Sequence, residues 1–460
     1  MITVTSFANK SIGVFGLGRS GLSAVRALEA GGSDVWAWDD TKEKRESAEM
    51  EGIKLTNLYQ SDLSKIDILV LSPGVPDQYP EPHSLTIRAR EADCEIICDI
   101  DLLARENTKA RFIGISGTNG KSTTTSLIGH IFNQASYQAE IGGNFGIPAL
   151  DLLPLDERGT YVLEISSYQL ERIPTVKLDI AILLNISADH LERHGGMGGY
   201  IAAKKILFER INGDAVTIIG MEDTHCRGIC MELMIGRGAK NIVPVSALAR
   251  MPGGVYVDSG MLIDDIRNTQ ETIMDLRNLS TLPGRHNWQN AAAAYATAIT
   301  VGIEPDIIIE ALKTFGGLAH RQEVVRNIGE ISFINDSKAT NSDAAAKALD
   351  CYDDIHWILG GEFKEENLGS LHDVLKKVAH AYLIGRDSER LEFLLSPFIP
   401  VTRCGDLETA IHEAYRKANS TNSNTVLLSP ACASFDQFKN FEERGDIFRS
   451  FVNSLRSVLL

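Results

Sequence analysis

The chain has 460 residues, about three times a common domain length of roughly 150, which predicts two or three domains. Apolar residues make up 44% and charged residues 23%, the balance of a globular protein with ample core, and the formal net charge of −16 with no basic tract excludes bulk binding to nucleic acid or a membrane surface. Seven scattered cysteines without a CxxC pair, no run near the ~20 apolar residues of a membrane span, and no charged-then-apolar leader pattern predict a soluble cytoplasmic protein with reduced thiols.

Short β-branched runs alternate with helical stretches from end to end, which predicts an α/β chain with mostly parallel sheets. The first block has strands at Ser11–Phe15, Asp34–Trp38 and 66–71, and closes with 96–99 before a helix at 101–105. A second block opens with Arg111–Ser116, a glycine-rich turn, and a helix through 123–132 with Leu127, Ile128 and Ile131 at helical spacing. Strands at 161–165 and 179–186 follow. The stretch 220–282 has a weaker pattern and is expected to hold irregular strands and loops. A third block repeats the alternation at Ile331–Asn335, Ile355–Gly360, 381–384 and Thr425–Leu428. The divisions predict three domains, 1–99, 100–317 and 318–460.

Gly16-Leu17-Gly18-Arg19-Ser20-Gly21 follows a strand and opens a helix, with Asp39 and Asp40 near the end of the next strand, roughly 20 residues on. Such glycines bring backbone N–H groups close to a diphosphate at a helix N-terminus. Taken alone the motif suggests a nicotinamide-dependent dehydrogenase, although it also serves other nucleotide binders. Ser72-Pro73-Gly74 ends another strand of this block and reads equally well as a second phosphate-type loop or a plain turn.

Gly117-Thr118-Asn119-Gly120-Lys121-Ser122-Thr123 lies between a strand and a helix. Its Gly-Lys-Ser end fits a phosphate loop, with Lys121 for terminal phosphates and Ser122 for Mg²⁺, yet Ile115 stands where the strict pattern has its first glycine. Downstream, Glu164 closes a strand, Asp189-His190 follows another, and Lys204 sits in a helical stretch. Singly these read as an exposed acid, a helix cap or metal ligand, and a solvated lysine. Together, after one phosphate loop, they suit Mg²⁺ and phosphate chemistry. Glu164 is the hard-oxygen ligand, and Lys204 becomes one only as a carbamate.

These segments resemble the Mur ligase family, ATP-dependent enzymes that extend the peptidoglycan stem peptide. The likeness runs through nearly the whole chain. It rests on residues 117–122, Gly142-Gly143-Asn144, Glu164-Ile165-Ser166-Ser167-Tyr168, Asn185 through His190, Tyr200-x-Ala-Ala-Lys204, Gly284-Arg285-His286-Asn287-Trp288-Gln289-Asn290, His320-Arg321, 335–341 and 429–441. Within the family it is most similar to the branch that adds D-glutamate.

The resemblance implies a Rossmann-like first domain, a central ATPase-type domain and a Rossmann-like third. It implies UDP-N-acetylmuramoyl-L-alanine and D-glutamate as substrates, with ATP and two Mg²⁺ ions; a monomer is the default. The UDP substrate falls to Gly18, Arg19, Ser20, an acid at Asp39 or Asp40, Ser72, Gly74, Asn144, Ser166 and His190. Gly117 through Thr123 cradle ATP, with Asn287 and Asn290 on adenine, Asp336 on the ribose, and Arg321 and Lys338 on the phosphates. Ser122 and Glu164 serve one Mg²⁺, His190 and carbamylated Lys204 the second. Thr340, Lys364, Ser434, Phe435 and Phe441 form the D-glutamate pocket. Two departures stand out. The His190-to-Lys204 spacing is one residue short, with Lys205 adjacent, and Phe363 replaces a glycine beside Lys364. The rival readings are the dehydrogenase, a phosphate-loop switch or motor, and another amide ligase such as a folate polyglutamylating enzyme.

Overall fold

Strands rich in Val, Ile and Leu, with both faces covered by helices, form three largely parallel sheets in the computed structural model. Residues 1–238, 240–421 and 423–455 are described. The first sheet, in the order β2-β1-β3-β4, is parallel throughout and comprises β1 (Ser11–Phe15), β2 (Asp34–Trp38), β3 (Ile68–Leu71) and β4 (Glu95–Ile97). The second contains β5 (Arg111–Ser116), β6 (Ala139–Gly143), β7 (Thr160–Glu164), β8 (Leu178–Leu183), β9 (Ile211–Gly220), β10 (Ile242–Ser246), β11 (Val255–Asp258), β12 (Met261–Asp264) and β13 (Glu271–Asp275). Its order is β13-β12-β11-β10-β9-β8-β5-β7-β6, with only the β11–β12–β13 edge antiparallel. The third comprises β14 (Glu323–Ile328), β15 (Ile331–Asn335), β16 (Ile355–Gly360), β17 (Val378–Ile384), β18 (Val401–Gly405) and β19 (Thr425–Leu428). It runs β14-β15-β19-β16-β17-β18 with one antiparallel edge, β14–β15.

The chain falls into two units: Met1–Asp275 with Gln289–Thr314, which holds the first two sheets, and Leu276–Trp288 with Phe315–Leu460, which holds the third. In the first sheet β1 lies between β2 and β3, and in the second β5 lies between β7 and β8. Both are points where the strand order reverses, and there loops at the carboxyl ends of neighbouring strands part to leave a crevice. The turns after β1 and β5 are the two glycine motifs read from the sequence.

One expectation is corrected. Residues 220–282 hold a regular 14-residue helix, Thr224–Arg237, and four strands from β10 to β13. Cys226, Ile229 and Cys230 bury one face of that helix, so cysteines fill core positions that branched aliphatics usually mark. All seven cysteines are free, and no described helix is long and apolar enough to cross a membrane.

Candidate active site

In the first unit, the turn after β5 reverses the chain at Gly117 (φ +150) and Gly120 (φ +87), a left-handed path that a side chain would oppose. The turning glycine is therefore Gly117, and Ile115 stays in the strand, fully buried. A Cβ on Gly120 would strike Asn290 Oδ1, so Asn290 lies directly against the turn. Gly120 caps the helix Lys121–Gln134 without a side-chain acceptor, and Leu127, Ile128, Ile131 and Phe132 bury its other face. A helix N-terminus at such a crevice favours an anion. Ser122 and Thr123 are buried in its first turn. Lys121 folds over the turn and donates from Nζ to the carbonyls of Gly117 and Thr118, both at 2.9 Å.

The end of β8 clasps this turn. Asn185 accepts from Asn119 N through Oδ1 (2.9 Å) and donates through Nδ2 to Asn119 O (3.0 Å). Thr118 Oγ1 accepts from Ser187 N at 3.0 Å and lies 3.1 Å from the Tyr200 hydroxyl. From β7 comes Glu164, only 3% exposed, whose Oε2 accepts from Ser122 Oγ at 2.5 Å and whose Oε1 accepts from Asn144 Nδ2 at 2.8 Å. Ser122 and Glu164 thus present two adjacent hard oxygens, a donor pair that fits Mg²⁺. Among the described residues no group of three His, Cys, Asp or Glu could hold a metal, so further donors would have to come from other groups.

Lys204 lies on the helix Met197–Glu209, 1% exposed, with Nζ 4.6 Å above the Tyr200 ring. Burial, then the charge of Lys121, pushes its ammonium well below the usual lysine range, against the pull of Asp189, Cys226 and Glu164. Lys205 turns outward to Glu232. Of the adjacent pair, Lys204 is therefore the lysine that turns inward. His190 stands in the left-handed region (φ 51), its ring 5.6 Å from that of Tyr168 and Nε2 3.6 Å from Asp189. The Ser166 hydroxyl is engaged in a capping box with Gln169 that starts the helix Ser167–Leu170.

At the turn after β1 the two candidate acids differ. Asp39 is buried and accepts from Leu17 N (2.7 Å) and Thr41 N (2.8 Å). Burial raises its pKa, but those N–H groups and Lys44 outweigh it and hold the carboxyl below the ordinary value. Asp40 faces outward, bonded to the Tyr59 hydroxyl (2.8 Å) and 3.1 Å from His83 Nε2. Ser72 Oγ closes the turn on Gly16 O at 2.6 Å, Arg19 donates to Gly146 O, and the space where Gly18 and Gly74 would carry side chains is open. The first helical turn, from Arg19 through Ser20, rises from this floor.

Sequence reading missed two arginines that hold the Ser72–Gly74 loop. Arg172 donates to Ser72 O (3.1 Å) and Val75 O (2.8 Å), and Arg193 to Gly74 O (2.9 Å) and Val75 O (3.1 Å). Arg193 also lies 4.6 Å over the Tyr168 ring and follows His190 on the same short turn. The only sequence signal was two cations near otherwise apolar or aromatic segments.

In the second unit, motif loops gather at the carboxyl ends of β15, β19 and β16. Asp336 is buried and accepts from Ser429 Oγ (2.8 Å) and Gln322 N (3.2 Å). Burial raises its carboxyl to about 7, opposed by Ser429, Gln322, Arg321 and Arg444. Lys338 Nζ sits 3.9 Å from the Phe441 ring centroid. Arg444, fully buried and unforeseen, donates to Ser337 Oγ (2.9 Å), Ser337 O (2.8 Å), Cys432 O (3.2 Å) and Gly360 O (3.4 Å), fastening residues 335–341 to 429–441. Ser434 is buried, Phe435 is 68% exposed, Thr340 is half-buried and Lys364 exposed. Phe363 packs in the core with its N–H on Asp387 (2.7 Å) and Arg390 against its ring, so its bulk is absorbed away from Lys364. Asn287 donates to Pro283 O at 2.8 Å.

Family models match three stretches: residues 10–98 as a Mur ligase MurD-like N-terminal domain, 115–298 as a Mur ligase middle domain, and 320–432 as a Mur ligase glutamate ligase domain. The chain is 47% identical to the UDP-N-acetylmuramoylalanine–D-glutamate ligase of Caulobacter sp. (strain K31), over 99% of this chain and 98% of that protein. It is 46% identical to that of Rhodospirillum rubrum, over 99% and 97%. Solved structures with the same fold include UDP-N-acetylmuramate-alanine ligase MurC of Thermotoga maritima (TM-score 0.59, 18% identity, 97% and 99% covered). A pseudomurein peptide ligase type C of Methanothermus fervidus is another (TM-score 0.57, 20% identity, 97% and 100% covered). With its phosphate turn, its carboxyl-end acids and full-length relatives all in agreement, the chain belongs to the Mur ligase family.

Proposed function

We propose that the protein is an ATP-dependent ligase that joins D-glutamate to UDP-N-acetylmuramoyl-L-alanine in cytoplasmic peptidoglycan precursor synthesis. The observation that carries this reading is the grouping of Lys121, Ser122, Glu164 and buried Lys204 at one helix N-terminus that Gly120 caps without a side chain, in a chain whose full-length relatives bear that activity in their names. The substrate carboxylate attacks the γ-phosphate of ATP, giving an acyl phosphate and ADP. The amine of D-glutamate then displaces inorganic phosphate and loses a proton, leaving the amide.

Each residue has a part in that sequence. Lys121 exchanges its carbonyl partners for phosphate oxygens and offsets their charge. Ser122 and Glu164 would hold one Mg²⁺, and His190 with Lys204 would hold a second, the Lys204 amine having added CO₂ and released a proton to become a carbamate. The chemistry such cations would supply is neutralisation of the charge that gathers between carboxylate and phosphate. A low lysine pKa favours the neutral amine that this addition needs. Asn144, engaged with Glu164, lines the muramoyl-peptide path, and the turn over Gly18, Arg19 and Ser20 with outward Asp40, Ser72 and Gly74 takes the UDP end. Asp39 acts from beneath by holding Leu17, and Ser166 by capping its helix. Asn290 and Asn287 take adenine, Asp336 the ribose, Arg321 and Lys338 the phosphates. Thr340, Lys364, Ser434, Phe435 and Phe441 take D-glutamate. The protein works as a monomer of three functional domains, 1–99, 100–317 and 318–460.

Phosphate release with ATP, Mg²⁺, UDP-N-acetylmuramoyl-L-alanine and each amino acid in turn tests the reading. It predicts turnover with D-glutamate alone. Turnover indifferent to the amino acid, or absent with D-glutamate, contradicts it.

A further inference from the structure

Arg321 is flanked by two residues, His320 (φ 61) and Gln322 (φ 46), that hold left-handed backbone although neither is glycine or asparagine. Such a conformation persists only where the surroundings over-determine it, and both neighbours of Arg321 are buried and tied down. His320 Nδ1 lies 3.0 Å from Asn335 Nδ2, its N–H donates to Glu323 at 3.0 Å, and its carbonyl accepts from Lys338 N at 3.1 Å. Gln322 makes three further ties. Its N–H donates to Asp336 at 3.2 Å, its side-chain amide lies 3.0 Å from His286 Nε2, and its carbonyl oxygen accepts from the Tyr352 hydroxyl at 3.3 Å. Because Tyr352 fixes the amide oxygen, the amide nitrogen faces His286 as donor, and His286 is held neutral with its proton on Nδ1. Burial, then Lys347, lowers the His286 pKa to about 4, in keeping with that tautomer.

One residue, through its side chain and its backbone N–H, therefore joins three segments that the sequence presented as separate motifs: Gly284 through Asn287, His320-Arg321, and Asn335 through Lys338. We propose that Gln322 is a positioning residue for the nucleotide, setting the spacing between Asn287, Arg321 and Asp336 through His286, its own strained backbone and its bond to Asp336. This rests on the assignment of those three residues to adenine, phosphate and ribose. Gln322 touches no reacting atom; it acts through the groups it joins, and its loss misplaces all three contacts of one substrate while leaving the other two substrates alone.

The test is steady-state kinetics on the full-length enzyme, varying each substrate at saturation of the others. Gln322→Leu keeps the side chain's size but removes both side-chain bonds. It is expected to raise the KM for ATP about tenfold, the loss of two modest hydrogen bonds. The KM values for UDP-N-acetylmuramoyl-L-alanine and D-glutamate, and kcat, should stay within about threefold. Gln322→Glu supplies a second readout that a merely structural role would not move. A carboxylate facing His286, beside Lys347, Asp343 and Asp350, draws a proton onto the ring. Because Asp336, raised to about 7, titrates in both proteins, the readout is the ratio of variant to parent KM for ATP, which should fall as pH is lowered from 8 towards 6. Should the leucine variant fail to fold, the glutamate pH profile decides the matter. A ratio that does not change with pH, or a rise in all three KM values together, overturns the role of Gln322. Absence of any D-glutamate-dependent turnover in the unsubstituted enzyme would instead overturn the underlying assignment of function.

Discussion

The first unit contains the same device twice. A glycine turn leaves the middle strand of a parallel sheet, between the ends of two neighbours, and opens a helix without a side-chain cap. After β1 the neighbouring strand ends close inward: Asp39 takes the Leu17 N–H, and Ser72 takes the Gly16 carbonyl. After β5 the end of β8 likewise holds the turn, through Asn185, but the end of β7 brings Glu164 to Ser122, with Lys121 folded over the turn and Lys204 buried within reach of both charges. Topology alone thus makes a place for a phosphate. What that place does follows from whether the strand ends bring a carboxylate to hold the backbone or opposed charges to meet a reacting group. On the proposed function the first arrangement binds and the second carries the chemistry.

The comparison breaks most visibly at Glu164. Glu164→Gln keeps the Asn144 and Ser122 neighbours but removes the charge, and kcat should fall about a thousandfold with little change in melting temperature; a loss under tenfold would place the chemistry elsewhere. Next comes the lysine pair. Lys204→Ala should cost about a hundredfold in kcat, whereas Lys205→Ala, whose partner is the exposed Glu232, should stay within twofold. Equal losses would undo the assignment of the inward lysine. At the binding turn the effect should move from kcat to affinity. Arg193→Ala removes two charge-assisted bonds to the Ser72–Gly74 loop and should raise the KM for the UDP substrate about tenfold, with the KM for D-glutamate unmoved.

The smallest effect concerns stability. Asp39→Asn should leave kcat intact and cost about 1–2 kcal/mol in urea unfolding at neutral pH, since two buried N–H bonds to a charged acceptor weaken. The folded carboxyl has a pKa below that of the unfolded chain, so its stabilisation is complete above the unfolded value and is lost as pH falls through the folded one. The asparagine variant should therefore lose less stability than the parent on acidification below about pH 4.

Much of this was legible in the sequence. Ser11–Phe15, Asp34–Trp38, Arg111–Ser116, Ile331–Asn335, Ile355–Gly360 and Thr425–Leu428 were read with the bounds observed, because buried parallel strands are unbroken apolar runs ended by glycine or polar turns. The strands β6, β9, β14 and β18 were not read; β6 is part-exposed and β9 opens with exposed Asn212, Gly213 and Asp214. The edges β14 and β18 are part-exposed and polar, as in Glu323–Ile328, and so lack that mark. The residues of the candidate site were legible as types, but not their directions. Asp39 and Asp40, like Lys204 and Lys205, are adjacent and chemically equal, and only the backbone decides which turns inward. Arg172, Arg193 and Arg444 escaped notice because their partners are main-chain carbonyls of distant loops, which carry no sequence signature.

The central claim is that the Lys121 turn brings a substrate carboxylate to the γ-phosphate of ATP. Supplying UDP-N-acetylmuramoyl-L-alanine with ¹⁸O in its carboxylate and analysing the released phosphate by mass spectrometry tests this directly. The account predicts one labelled oxygen in each phosphate formed with D-glutamate; unlabelled phosphate accompanying amide formation would contradict it.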